Sequence, residues 1–133
     1  MLGDKKVIAT IAVRDIGRAK KFYAETLGLA EVPSGEPEVL AFASGGSRLM
    51  VYRSELAGGN RATAATWVVG DQVDAIVRDL KGRGIVFERY DLPQTTREGD
   101  VHVAGKTRVA WFKDPEGNIL SVVNGTAREQ QGR

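Results

Sequence analysis

The chain has 133 residues, 42% hydrophobic and 27% charged, which is the size and composition of one globular domain with a real core. Its 19 basic residues are dispersed among 17 acidic ones for a net charge of +2, which argues against a nucleic-acid surface; Lys5-Lys6 reads as a solvated strand entry. Cysteine is absent, excluding disulfides and thiolate chemistry, and no apolar run reaches the length of a signal core or membrane span, so a soluble cytoplasmic protein without membrane or nucleic-acid partners is expected.

A short apolar strand is predicted from Val7 to Val13. Asp15 then suits the N-cap of a helix in IGRAKKFYAETLGL, where Ile16, Ala19, Phe22, Tyr23 and Leu27 recur at helical spacing and Gly28 supplies a left-handed stop. After a loop at Pro33–Gly35, strands are expected over Glu38–Ala43 and Arg48–Arg53, joined by a Ser-Gly-Gly-Ser turn. ELAGGNRAT is a Gly-rich connector without periodicity.

The same order then returns. Ala65–Val69 reads as a strand, and Asp71 as the cap of QVDAIVRDLKGRG, with Val73, Ile76, Val77 and Leu80 on its apolar face. Gly84 closes that helix and Ile85–Tyr90 forms a strand. The stretch Tyr90–Lys106 reads as a long polar loop of the kind used as a lid or binding loop. Strands Arg108–Lys113 and Ile119–Val123 follow, separated by the Asp-Pro-Glu-Gly turn. The same interval separates Asp15 from Asp71 and Gly28 from Gly84, so a strand-helix-strand-strand-strand unit is repeated. The organisation expected is one module over about 6–54, a connector over about 55–62, a second module over about 63–124 and a polar, frayed tail over 125–133.

The segments VRDIGRAKKFYAETLGL, ATWVVGDQVDAIVRDLKGRGI and WFKDPEGNIL resemble the vicinal-oxygen-chelate superfamily, which includes glyoxalases, bleomycin-resistance proteins and extradiol dioxygenases. The resemblance covers nearly the whole chain. It implies an α+β fold of two βαβββ modules, each curling a mixed sheet into half of a cup with helices outside, and commonly a homodimer.

It also implies four strand positions that hold a divalent metal through His, Glu or Gln in the family's enzymes. Those positions fall on Ile8, Met50, at or beside Ala65, and Ser121. None of the first three can ligate such a metal and a lone serine is a poor ligand; a one-residue shift does not change this. No metal and no other cofactor is therefore expected.

Alternation places Thr10 and Ala12 with Ile8, Tyr52 with Met50, Trp67 with Ala65, and Ile119 and Val123 with Ser121. The expected cup is mostly apolar with Thr10, Met50, Tyr52, Trp67 and Ser121 as its handles, suited to a small organic molecule. The competing reading is that these residues simply fill a collapsed core. His102 is a candidate general base or an exposed loop histidine. Arg108 and Trp111 face opposite sides of one strand, with Trp111 taken as the inward member.

Three functions follow. The first is a metal-independent binder of an organic ligand, and a strongly cationic drug suits this slightly basic chain poorly. The second is a lyase or isomerase using Tyr52, His102 or Asp100 for acid–base chemistry. The third is a degenerate module working through protein contacts.

Overall fold

The computed structural model describes residues 1, 3–5 and 7–125; Lys6 and the tail predicted beyond residue 125 lie outside them. The fold is α+β, with two sheets that each carry a helix against them. The chain divides into two compact units. One contains Met1–Ala64 with Pro115–Asn118, and the other Ala65–Asp114 with the segment from Ile119 onward.

In the first unit β1 (Ala9–Val13) leads through Asp15 into α1 (Ile16–Lys21). The Asp15 carboxylate accepts a hydrogen bond from the Arg18 amide at 3.0 Å, as its cap position predicts. The helix does not continue to Leu27 in regular form. Phe22–Thr26 widens into a π-helical turn, closed by Leu27 N–H donating to the Phe22 carbonyl, before Gly28 exits at φ +73°. Tyr23 is wholly buried there between Phe22 and Phe42.

Next come β2 (Ala30–Val32), too short to show periodicity in sequence, β3 (Val39–Ser44) and β4 (Ser47–Arg53). The sheet order is β1-β4-β3-β2, with β1 parallel to β4 and the other pairs antiparallel. Ile11, Val13, Leu49, Val51, Leu40 and Phe42 form the buried face, against which α1 packs.

The second unit holds β5 (Thr63–Val68) from Ala65 onward, α2 (Val73–Gly82), β6 (Phe87–Glu88), β7 (Thr96–Glu98), β8 (Val101–Ala104), β9 (Thr107–Lys113) and β10 (Ile119–Val123). The strands follow the order β5-β10-β9-β8-β7, and β6 pairs with the far part of β9 at Trp111 and Phe112. Val73, Val77 and Leu80 are buried on the face of α2, which packs on β8 and β9.

Three expectations are corrected here. Asp71 does not cap α2: a single 3-10 turn, Gly70–Gln72, precedes the helix, no side chain caps it, and the Asp71 carboxylate accepts from the Gln72 side chain instead. The strand expected over Ile85–Tyr90 shrinks to Phe87–Glu88. The supposed long loop contains the β7–β8 hairpin, paired from Thr96↔Val103 to Glu98↔Val101. Each of its strands is too short to show periodicity in sequence.

Charged side chains tie α2 to this hairpin. Asp100 is almost fully buried and accepts from Lys81 Nζ at 2.8 Å and Arg89 Nε at 3.0 Å. The hydrogen bond from Lys81 contributes most to holding its carboxyl below the usual carboxylate range; burial opposes this, and Arg89 adds to it. Arg108 forks onto both oxygens of Asp74 at 2.9 and 3.1 Å and reaches Glu98 at 3.1 Å. Among the described residues no helix is long and apolar enough to cross a membrane.

Candidate functional site

The ion pair from Arg108 to Asp74 of α2 puts Arg108 on the helix side of its sheet. Three residues on, Trp111 therefore faces away from the helix. Strand register identifies its companions on that face. Ser121 of β10 lies directly opposite Trp111, and His102 of β8 lies opposite Val109, two residues from Trp111 along β9.

The Ser121 hydroxyl bonds that of Thr66 on β5 at 2.8 Å. Thr66, Ser121, Trp111 and His102 thus form a strip across four adjacent strands. With strands about 4.8 Å apart, the strip spans roughly 14 Å. Because Thr66 faces Ser121, its neighbours Ala65 and Trp67 sit on the opposite face of β5. Trp67 is accordingly separated from the other handles. The sequence missed Thr66, which a shift of one residue at the position "at or beside Ala65" would have found.

His102 is not an exposed loop residue. It is wholly buried on β8. Its ring centroid lies 4.8 Å from that of Trp111 and 5.9 Å from that of Tyr90, and the Tyr90 and Trp111 rings are 5.3 Å apart. The Tyr90 amide donates to His102 Nε2 at 2.9 Å, while Nδ1 is buried with no protein partner. Burial, and secondarily Glu88, hold the Tyr90 phenol above its ordinary pKa, so it stays uncharged at neutral pH.

In the first unit, Thr10 pairs with Met50 and Ala12 with Tyr52 across β1 and β4, on the face away from α1. Thr10 is exposed, Met50 half-buried, and Tyr52 retains 39% exposure, so this face is not filled as core. Ile8 precedes β1 and is 46% exposed. A cleft of about 180 Å³ opens beside Thr10 and Tyr52, bounded by Gly58, Asn60, Ala62 and Asn118. Asn118 donates to the Ala12 carbonyl at 2.9 Å, and Glu116 accepts from the Asp15 amide at 2.9 Å. The Pro115–Asn118 turn therefore fastens itself to the exit of β1. Gly58, at φ +80°, lies so close to the Glu116 carbonyl oxygen that a Cβ there would collide with it.

A model of the glyoxalase/bleomycin resistance protein/dioxygenase superfamily matches residues 7–122. The chain belongs to that superfamily. No curated protein matches it. Solved structures that share the fold include the fosfomycin resistance protein FosX of Listeria monocytogenes, complexed with Mn(II) and sulfate. It is 19% identical, with a TM-score of 0.70 and coverage of 100% of this chain and 98% of that one. FosX of Mesorhizobium loti is 17% identical at a TM-score of 0.66, covering 98% and 99%. A Bacillus anthracis protein ascribed to the glyoxalase family is 19% identical at 0.66, covering 87% and 90%.

The donor set of this superfamily member does not fit a divalent metal. Among the described residues no three His, Cys, Asp or Glu side chains converge. The positions implied to be metal-binding carry Ile8, Met50, Ala65 or its neighbour Thr66, and Ser121, whose hydroxyl is hydrogen-bonded to Thr66.

Proposed function

We propose that this superfamily member is a metal-independent binding protein for a small organic molecule. The observation that carries the reading is the Thr66–Ser121 hydroxyl pair. Where the resemblance implies a metal-binding carboxylate, two neutral hydroxyls engage each other, next to the indole of Trp111. Hydroxyl groups and an aromatic face can bind and orient an organic ligand, whereas they are poor donors for a hard cation. Within the first unit, the face of Thr10, Met50 and Tyr52 offers hydroxyl and aromatic groups of the same kind. Homodimerisation and a cytoplasmic location accompany this reading as expectations from the resemblance and the composition.

Acid–base catalysis is the weaker reading. Asp100 is committed to two cations, and His102 Nε2 is committed to the Tyr90 amide. Asp100 would have to break its ion pairs, and His102 Nε2 its bond to the Tyr90 amide, before either atom could take up a proton. The test is a thermal-shift screen of chelator-treated protein against metabolites and drugs. A ligand that binds only the native state raises Tm. No shift across a broad panel would instead favour a module working through protein contacts.

A further inference from the structure

The buried imidazole of His102 specifies what kind of ligand the strip accepts. Its Nε2 is occupied as an acceptor by the Tyr90 N–H, at 2.9 Å. An imidazole nitrogen that accepts a hydrogen bond carries no proton, so the ring proton resides on Nδ1. Nδ1–H is therefore a donor of fixed tautomer, buried and without a protein acceptor. A buried donor left in that condition is costly, which is the reason native proteins seldom retain one without use.

The surroundings of this donor are aromatic and, on one side, cationic. The Trp111 ring lies 4.8 Å away between centroids in a T-shaped contact, and the Tyr90 ring 5.9 Å away, tilted. Arg97 is the register partner of His102 across β7 and β8, so both side chains leave the same face of the sheet. The guanidinium's carboxylate partner is Asp91, 3.7 Å away and almost fully exposed, a weak pairing that leaves its charge available. The acid on the same face, Glu88, is paired with Lys113 at 3.5 Å.

We infer that the strip selects a planar ligand bearing a carboxylate or carbonyl acceptor, stacked on Trp111, with His102 Nδ1–H as the donor that reads the acceptor. This rests on the small-molecule binding reading and narrows it. His102 is wholly covered, so admission requires a cover to move, and Tyr90 is suited to that. Its backbone is pinned by His102, while its half-buried ring stands at the start of the exposed stretch Asp91–Gln94. Gln94 in that stretch holds φ at +56°, a conformation unusual for a residue other than glycine. Rotation of the Tyr90 side chain, with the amide bond retained, uncovers the imidazole without unfolding the strand.

Three probes sharing one phenyl ring test the inference: benzoate, benzamide and benzylammonium. Binding is followed by tryptophan fluorescence and by the His102 imidazole nitrogen signals of wild-type protein. The expected result is that benzoate and benzamide bind at least tenfold more tightly than benzylammonium and move the Nδ1 resonance. His102→Gln should keep the preference, because a carboxamide can accept from Tyr90 and still donate. His102→Leu should abolish it. Equal affinity for the three probes, or binding that leaves Nδ1 unmoved, would overturn the inference while the broader binding reading stood. Absence of binding by all three also overturns it, and the chelator-treated panel then decides the broader reading separately.

Discussion

Asp100 is a carboxylate whose surroundings can be read as a pH dependence. Its folded pKa lies below the ordinary value of 3.8, chiefly through the Lys81 hydrogen bond. A depressed folded pKa gives stability that is complete above the unfolded value. It is lost as pH falls from about 3.8 through the lower folded value. Asp100→Asn should therefore cost about 1–2 kcal/mol at pH 7, discounted because both cations are half-exposed, and the difference should shrink below pH 4. Urea unfolding at pH 7 and pH 3 measures both. The identity of the residues on the strip was partly legible in sequence. Trp111, Ser121 and His102 were candidates from the outset, while alternation said only that Arg108 and Trp111 face opposite sides. Counted from Ala65, alternation grouped Trp67 with the handles, whereas the Thr66–Ser121 bond sets the other phase; a strand's phase is fixed by its partner, and no single strand carries that information.

At the level of elements, the two helices of the repeat begin with the same residue type but differ physically. Asp15 caps α1 through the Arg18 amide, whereas Asp71 lies within the 3-10 turn that precedes α2 and caps nothing. Asp15→Ala should destabilise by about 1 kcal/mol and Asp71→Ala by less than about 0.5 kcal/mol, measured by the same urea titration. The spacing that revealed the repeat thus located both helix starts to within two residues without distinguishing their caps. The β7–β8 hairpin escaped notice for a related reason. Strands of three and four residues held by cross-strand pairing and by the Asp100 ion pairs have no periodicity of their own. The Asp-Pro-Glu-Gly turn was plain, but its purpose was not. It docks through Glu116 and Asn118, and the connector approaches it at Gly58. Gly58→Ala should cost about 2 kcal/mol or more, from the collision and the positive φ, and lower Tm by roughly 5–10 °C in calorimetry.

For the whole molecule, the α+β architecture and the superfamily were legible because two widely separated motifs repeat one strand and helix grammar. Function is less legible, since one fold hosts many chemistries and the site must be argued from its side chains. Here those side chains are hydroxyl, indole and imidazole groups, from which we propose an organic ligand rather than a metal. Elemental analysis of purified protein should accordingly find no stoichiometric Mn, Fe, Ni or Zn, and chelator treatment should leave Tm unchanged. The most direct test of the central claim is calorimetric titration of a panel-identified ligand into chelator-stripped protein, with and without added Mn(II). The account predicts the same Kd and stoichiometry in both; binding that appears only when Mn(II) is present would contradict it.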